Sequence, residues 1–148
     1  MRNRIRVGVV AALLLALGRC GGDSATEANV PCSTSGAADD ALFNQYFLRM
    51  ALVDGATGLP GQPDAERGER YASTALLELR MDATAPVTIR ACVEVRDGSG
   101  TIVRDASHSA TTGSSGTGLG SFPPNAAGYI LRVTVNEKLV KNFPFVTE

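Results

Sequence analysis

From residue 86 to residue 96 the chain alternates. Val87, Ile89, Ala91, Val93 and Val95 are apolar, and Thr88, Arg90, Cys92, Glu94 and Arg96 stand between them. A period of two built on β-branched residues predicts a strand with five apolar side chains on one face and Cys92 on the other. Asp97-Gly98-Ser99-Gly100 then predicts a turn, and Thr101-Ile102-Val103-Arg104 the returning strand of a hairpin. A second hairpin follows. Tyr129, Leu131, Val133 and Val135 alternate with Ile130, Arg132 and Thr134, Asn136-Glu137 turns, and Lys138 to Val146 returns with Phe143 and Phe145 on one face. Pro144 cannot donate to a ladder, so this last strand is expected at a sheet edge.

Upstream, Ala75, Leu77, Leu79 and Met81 alternate with Thr74, Leu76, Glu78 and Arg80, predicting a strand over 73–82, although the Ala-Leu-Leu-Glu-Leu-Arg-Met run also has good helix propensity. Residues 41–53 satisfy two patterns. As a strand, Tyr46, Leu48, Met50 and Leu52 share a face. As a helix, Leu42, Phe43, Tyr46, Phe47, Met50 and Val53 form a stripe with Asp39 or Asp40 as cap. The turn signals Asp54-Gly55 and Thr57-Gly58-Leu59-Pro60-Gly61 favour a strand at 46–53. Residues 58–69 and 107–120 read as loops, the second with room for a weak edge strand before Phe122. Six to seven short alternating strands predict an all-β antiparallel sandwich over 41–148.

The N-terminal segment has a different character. Arg2, Arg4 and Arg6 precede an apolar run from Val7 to Leu17, too short for a membrane span of ~20 residues. This is the charged and apolar layout of a secretory signal, assigned to 1–19. Gly21 to Gly36 is rich in Gly, Ser, Thr and Ala, so 20–40 reads as a flexible tether, and the folded part is expected to begin near Asp39 or Asp40.

Leu17-Gly18-Arg19-Cys20 resembles the lipobox of bacterial lipoproteins, with Arg19 where that family has Gly, Ala or Ser. The resemblance implies lipidation of Cys20, a membrane anchor built from acyl chains and, with Gly21 following, an outer-membrane address facing the periplasm or the surface. Ala16-Leu17-Gly18 is the alternative, an ordinary cleavage site giving a secreted protein. Gly128-Tyr129-x-Leu131-x-Val133-x-Val135 with the closing Phe143-x-Phe145 resembles the final hairpin of bacterial immunoglobulin-like domains. That likeness puts Tyr129 in a tyrosine-corner-like position, and the absence of Trp excludes an antibody-type domain.

With Cys20 acylated, Cys32 and Cys92 remain. An oxidising compartment favours a Cys32–Cys92 disulfide over two separate thiols. Loop-closure entropy gives such a bridge about 4 kcal/mol. The 14 basic and 15 acidic residues leave no basic surface for nucleic acid. No cofactor or metal motif occurs: there is no C-x-x-C, and His108 is the sole histidine. His108 in Asp105-Ala106-Ser107-His108-Ser109 reads as a solvated loop residue, since triads assemble across a fold and not along a sequence. Asp97-x-Ser99-x-Thr101 reads as a hairpin turn and not a calcium loop. Asp64, Glu66 and Glu69, mixed with Arg67 and Arg70, read as solvated charges and not catalytic carboxylates. With no catalytic residue assigned, the expected function is a non-catalytic cell-envelope lipoprotein that binds an envelope protein or supports an assembly, with β-augmentation along the terminal edge as one mechanism. The alternatives are an inhibitor or small-ligand-binding sandwich protein and, more remotely, a hydrolase.

Overall fold

A computed structural model describes residues 37–84, 89–110 and 112–148. The expected signal segment, Cys20, Cys32 and most of the expected tether lie outside these residues. Nine strands and one short helix are described, and the strands form two sheets packed as an all-β sandwich.

Residues 41–53 divide between their two patterns. Helix α1 (Asp40–Tyr46) is capped by Asp39, whose carboxylate accepts from the Leu42 amide at 2.9 Å. Seven residues cannot hold a helix alone. Leu42, Phe43 and Tyr46 pack against the core, and the Asp39 amide donates to the Leu139 carbonyl. Strand β1 (Phe47–Asp54) follows. An irregularity between Phe47 and Arg49 resets the alternation, so Phe47, Met50 and Leu52 are buried while Leu48 is 74% exposed. The expected shared face of Tyr46, Leu48, Met50 and Leu52 is thereby corrected: a bulge adds one residue and turns Leu48 outward.

The small sheet has the order β1-β4-β7, with β4 at Leu77–Ala83 and β7 at Gly113–Gly120. The large sheet has the order β2-β3-β9-β8-β5-β6. Its strands are β2 (Gln62–Asp64), β3 (Gly68–Tyr71), β5 (Ile89–Asp97), β6 (Ile102–Ala110), β8 (Tyr129–Val135) and β9 (Lys138–Thr147). Both predicted hairpins form, β5–β6 and β8–β9. The second turns on Asn136 and Glu137, which both adopt positive φ, as a two-residue hairpin requires.

Three expectations are corrected. The described strands number nine, because the supposed loops at 58–69 and 107–120 hold β2, β3, the end of β6 and β7. These stretches are charged or glycine-rich and carry little apolar alternation. The pairing is not wholly antiparallel either, since β3 runs parallel to β9 from Glu69↔Phe145 to Tyr71↔Thr147. Finally, β9 lies inside its sheet. Pro144 is tolerated there because the β3 pairing begins at Phe145, just past the ring, where the missing N–H is no longer needed.

The core lies between the sheets. Leu52, Leu77, Leu79 and Met81 of the small sheet meet Ala91, Val93, Val95, Leu131, Val133 and Val135 of the large one, all essentially without solvent contact. One end is aromatic. Phe145 stacks on Tyr129 and meets Phe122 and Tyr71 edge-on, with centroids 5.2 to 6.2 Å apart. The Tyr129 hydroxyl donates to the Pro123 carbonyl at 2.9 Å, back across the corner preceding β8. This is the tyrosine-corner-like arrangement expected from the sequence. The same carbonyl accepts from the Thr147 hydroxyl at 2.6 Å. Tyr129→Phe therefore leaves that oxygen satisfied, and its expected cost is one ordinary hydrogen bond, about 1 kcal/mol. Thermal denaturation would register it as a fall in Tm of about 4–8 °C.

Candidate functional site

The outer face of the small sheet is the candidate site. Register sets its composition. β4 turns Leu77, Leu79, Met81 and Ala83 inward, so Glu78, Arg80 and Asp82 stand outward in a row along the central strand. Opposite them on β1 are Val53, Ala51 and Arg49, and on β7 Gly118, Gly116 and Ser114. Glycines on one flank and the 54–60 turn on the other leave an open groove of about 650 Å³, lined also by Gly58 and Pro60.

The charges in the groove are organised. The Arg49 guanidinium meets the Asp82 carboxylate at 2.9 Å, and Arg80 meets Glu78 at 3.4 Å. The Ser114 hydroxyl donates to Asp82. That bond, assisted by Arg49, holds the Asp82 carboxyl below the usual carboxylate range. Glu78 reaches sideways across the sheet. A Cβ built on Gly116 would meet its Oε1, so the glycine gives the carboxylate room over β7. Arg80 bends the other way, its Nη1 lying 2.9 Å from where a Cβ on Gly58 would be. Asp82 and one oxygen of Glu78 thus lie toward β7, while the other oxygen of Glu78 and both guanidiniums lie toward β1. Such a surface can bind a charged, extended partner, and its ionisable groups are occupied with one another.

The residues singled out in the sequence fall elsewhere. Asp64 closes the β2–β3 turn. It accepts from the amides of Glu66 and Arg67 and pairs with Arg67 and Arg70 at 3.0 and 2.8 Å. The Arg70 bond is the largest cause holding its carboxyl far below the usual range. Glu69 accepts from the Gly61 amide and from the Tyr71 hydroxyl, which also lies 2.9 Å from the Leu52 carbonyl and so joins the two sheets. These acids are engaged in holding the hairpin, so the solvated reading is corrected for Asp64 and Glu69: they tie the turn. Asp97 accepts from the Ser99 amide, the Ser99 hydroxyl and the Thr101 amide, the saturated bonding of a hairpin turn.

His108 is not in a loop. It stands on β6 opposite Ala91, hence on the inner face, half-buried, with Nε2 3.0 Å from the Ser115 hydroxyl of β7. Burial pushes its imidazole below the ordinary value. Its sequence neighbours Ser107 and Ser109 pair with Cys92 and Arg90, and Asp105 with Glu94, all on the opposite face. The sheet thus separates His108 from Ser107, Ser109 and Asp105, and the serine it meets is Ser115 of β7. Cys92 is half-buried on that outer face beside Thr134 and is engaged in an interaction; its expected partner Cys32 and Cys20, the expected point of lipidation, lie outside the described residues. Among the described residues no group of three His, Cys, Asp or Glu side chains is placed to hold a metal, and no helix is long and apolar enough to cross a membrane.

Asp64, Asp82 and Asp97 all titrate lower in the folded state than in the unfolded one. Their contribution is complete above the unfolded carboxylate value of about 3.9 and is lost as pH falls through the folded values. The unfolding midpoint is therefore expected to hold steady down to about pH 4.5 and to drop below it. Asp64→Asn should flatten that acid limb in a Tm-against-pH series.

Sequence reading missed the groove. The outward row Glu78, Arg80 and Asp82 was visible as polar alternation. Its partners on β7 carried no signal, because a strand of glycine and serine has no hydrophobic period. No family model matches the chain, and no curated protein matches its sequence.

Proposed function

We propose that this protein is a non-catalytic lipoprotein of the bacterial cell envelope, anchored through Cys20 and binding another protein with the outer face of its small sheet. The observation that carries the binding reading is the β1-β4-β7 groove, with its polarised charges and glycine-lined flank. The anchor rests on the arginine-led apolar leader and the lipobox-like Leu17-Gly18-Arg19-Cys20. The address follows from the anchor: the outer membrane, facing periplasm or surface. A Cys32–Cys92 bridge belongs to the same reading. Cys92 stands on the outer face of the large sheet, so the bridge would pin the tether against the outside of the sandwich.

Intact mass of the protein from the membrane fraction, with and without reductant, tests anchor and bridge together. A chain beginning at Cys20 with added acyl mass and a two-hydrogen gain on reduction is the expected result. A soluble chain retaining Met1 would end the reading. For the binding function, Asp82→Lys reverses the centre of the groove. Cross-linked envelope extracts should yield a partner with the wild-type protein and lose it with this variant. Equal recovery would remove the groove as the surface involved.

The second reading, a small-ligand binder or an inhibitor, is favoured by the groove's volume, which lies within the range of ligand pockets. A thermal shift with a small-molecule library, abolished by Asp82→Lys, would support it over protein binding.

A further inference from the structure

Two sheets have four edges, and three of them are blunted. β1 carries the irregularity at Phe47–Arg49 and follows directly on α1. β2 is three residues long and contains Pro63. β6 displays Arg104 and Asp105. Charge, proline, bulges and shortness are the devices by which edge strands avoid pairing with other chains. β7 carries only one of them, an irregularity at Leu119 near its end, and from Gly113 to Gly118 it has none. It spans eight residues of glycine, serine and threonine, its one large side chain, Leu119, is buried, and it pairs on one flank only, with β4.

From Gly113 to Gly118 the side chains beside this edge are acidic, and Arg104 of β6 stands only at its far end, by Gly120. Asp82 is drawn to it by the Ser114 hydroxyl, and the Glu78 carboxylate lies over Gly116. Ser114 and Gly116 are two positions apart, about 7 Å along a strand and on the same face. Arg80 and Arg49 lie toward β1, away from the edge. We infer that β7 accepts an extended segment of a partner protein as a fourth strand of the small sheet, with basic residues at alternate positions of that segment meeting Asp82 and Glu78. This rests on the protein-binding reading above and names the partner's chemistry. Main-chain bonds to β7 supply affinity, and the two carboxylates supply register and selectivity. A second copy of the chain fits less well, because β7 against β7 would set the same acidic pairs facing each other.

The test is selection of a phage-displayed library of random 12-residue peptides on the immobilised full-length protein. Enriched peptides are expected to alternate strand-forming residues and to carry Lys or Arg two positions apart. A selected peptide should slow amide exchange across 113–118. Gly118→Lys, where an added Cβ meets nothing within 4 Å, should weaken its binding at least about tenfold with little change in Tm. Glu78→Lys should shift enrichment toward acidic peptides, a charge-reversal that misfolding cannot imitate. The inference is overturned by enrichment without the basic spacing, by undiminished binding to Gly118→Lys, or by self-association of the protein that buries β7. Failure to enrich any peptide also overturns it, while a groove-dependent partner from envelope extracts would leave the broader binding reading standing.

Discussion

Phe145→Ala is expected to lower the thermal midpoint by about 15–30 °C, from a loss of about 3–5 kcal/mol. Phe145 has no solvent contact and sits where β9 crosses the aromatic end of the core, against Tyr129, Phe122 and Tyr71. Truncation removes the transfer energy of the ring and three aromatic contacts, and the surrounding rings cannot collapse into the space. Tyr129 is held by Pro123, and Tyr71 by its bonds to Leu52 and Glu69. Domains of this size have about 5–15 kcal/mol in total, so the variant should approach the limit of folding at 37 °C. Phe143, on the same strand but only partly buried, provides the comparison. Its alanine variant should lose less than half as much by calorimetry. Equal losses would mean that the aromatic end is not the centre of stability.

Glu94→Ala should cost a similar amount, about 3–5 kcal/mol, for a different reason. Glu94 is on the outer face of β5, where alternation predicts a solvated residue, yet only 2% of it is exposed. It bonds the Arg96 guanidinium and stands directly opposite Arg132 of β8. A carboxylate out of water is tolerated only beside positive charge. Removing it takes away the carboxylate that Arg96 bonds and that stands opposite Arg132. Because the group is buried, the loss should persist in 1 M salt, unlike that of an exposed pair. The double variant Glu94→Leu, Arg96→Met should recover much of the stability, since a buried ion pair contributes little over well-packed apolar residues. Chemical denaturation of the single and double variants in low and high salt measures each part. A salt-sensitive loss below 1 kcal/mol would indicate that Glu94 is hydrated in solution.

These two residues bear differently on the groove. Phe145 supports the end of the sandwich where Tyr71 bonds Leu52 of β1, so its loss should loosen the small sheet. Glu94 belongs to the far sheet, and its loss should leave binding at β7 intact in whatever fraction remains folded. Stability and binding can therefore be separated by mutation.

The amino-acid sequence alone determined the alternating strands. In β4, β5, β8 and β9 a period of two in Leu, Val, Met and Phe leaves a single face that water disfavours, and any fold must pair those faces. It also determined both hairpins, through Asp97-Gly98 and Asn136-Glu137, and the corner made by Tyr129. Tertiary structure alone decided the rest. α1 exists because Asp39 and the core hold seven residues that cannot nucleate a helix. β9 became an interior strand because a short charged segment runs parallel to its last residues beyond Pro144. Above all, β7 has no hydrophobic period and becomes a strand only because β4 offers it a ladder. The groove inherits that dependence: its acids come from a visible alternation, but its open edge arises from backbone bonding between segments distant in sequence, to which side-chain periodicity is blind.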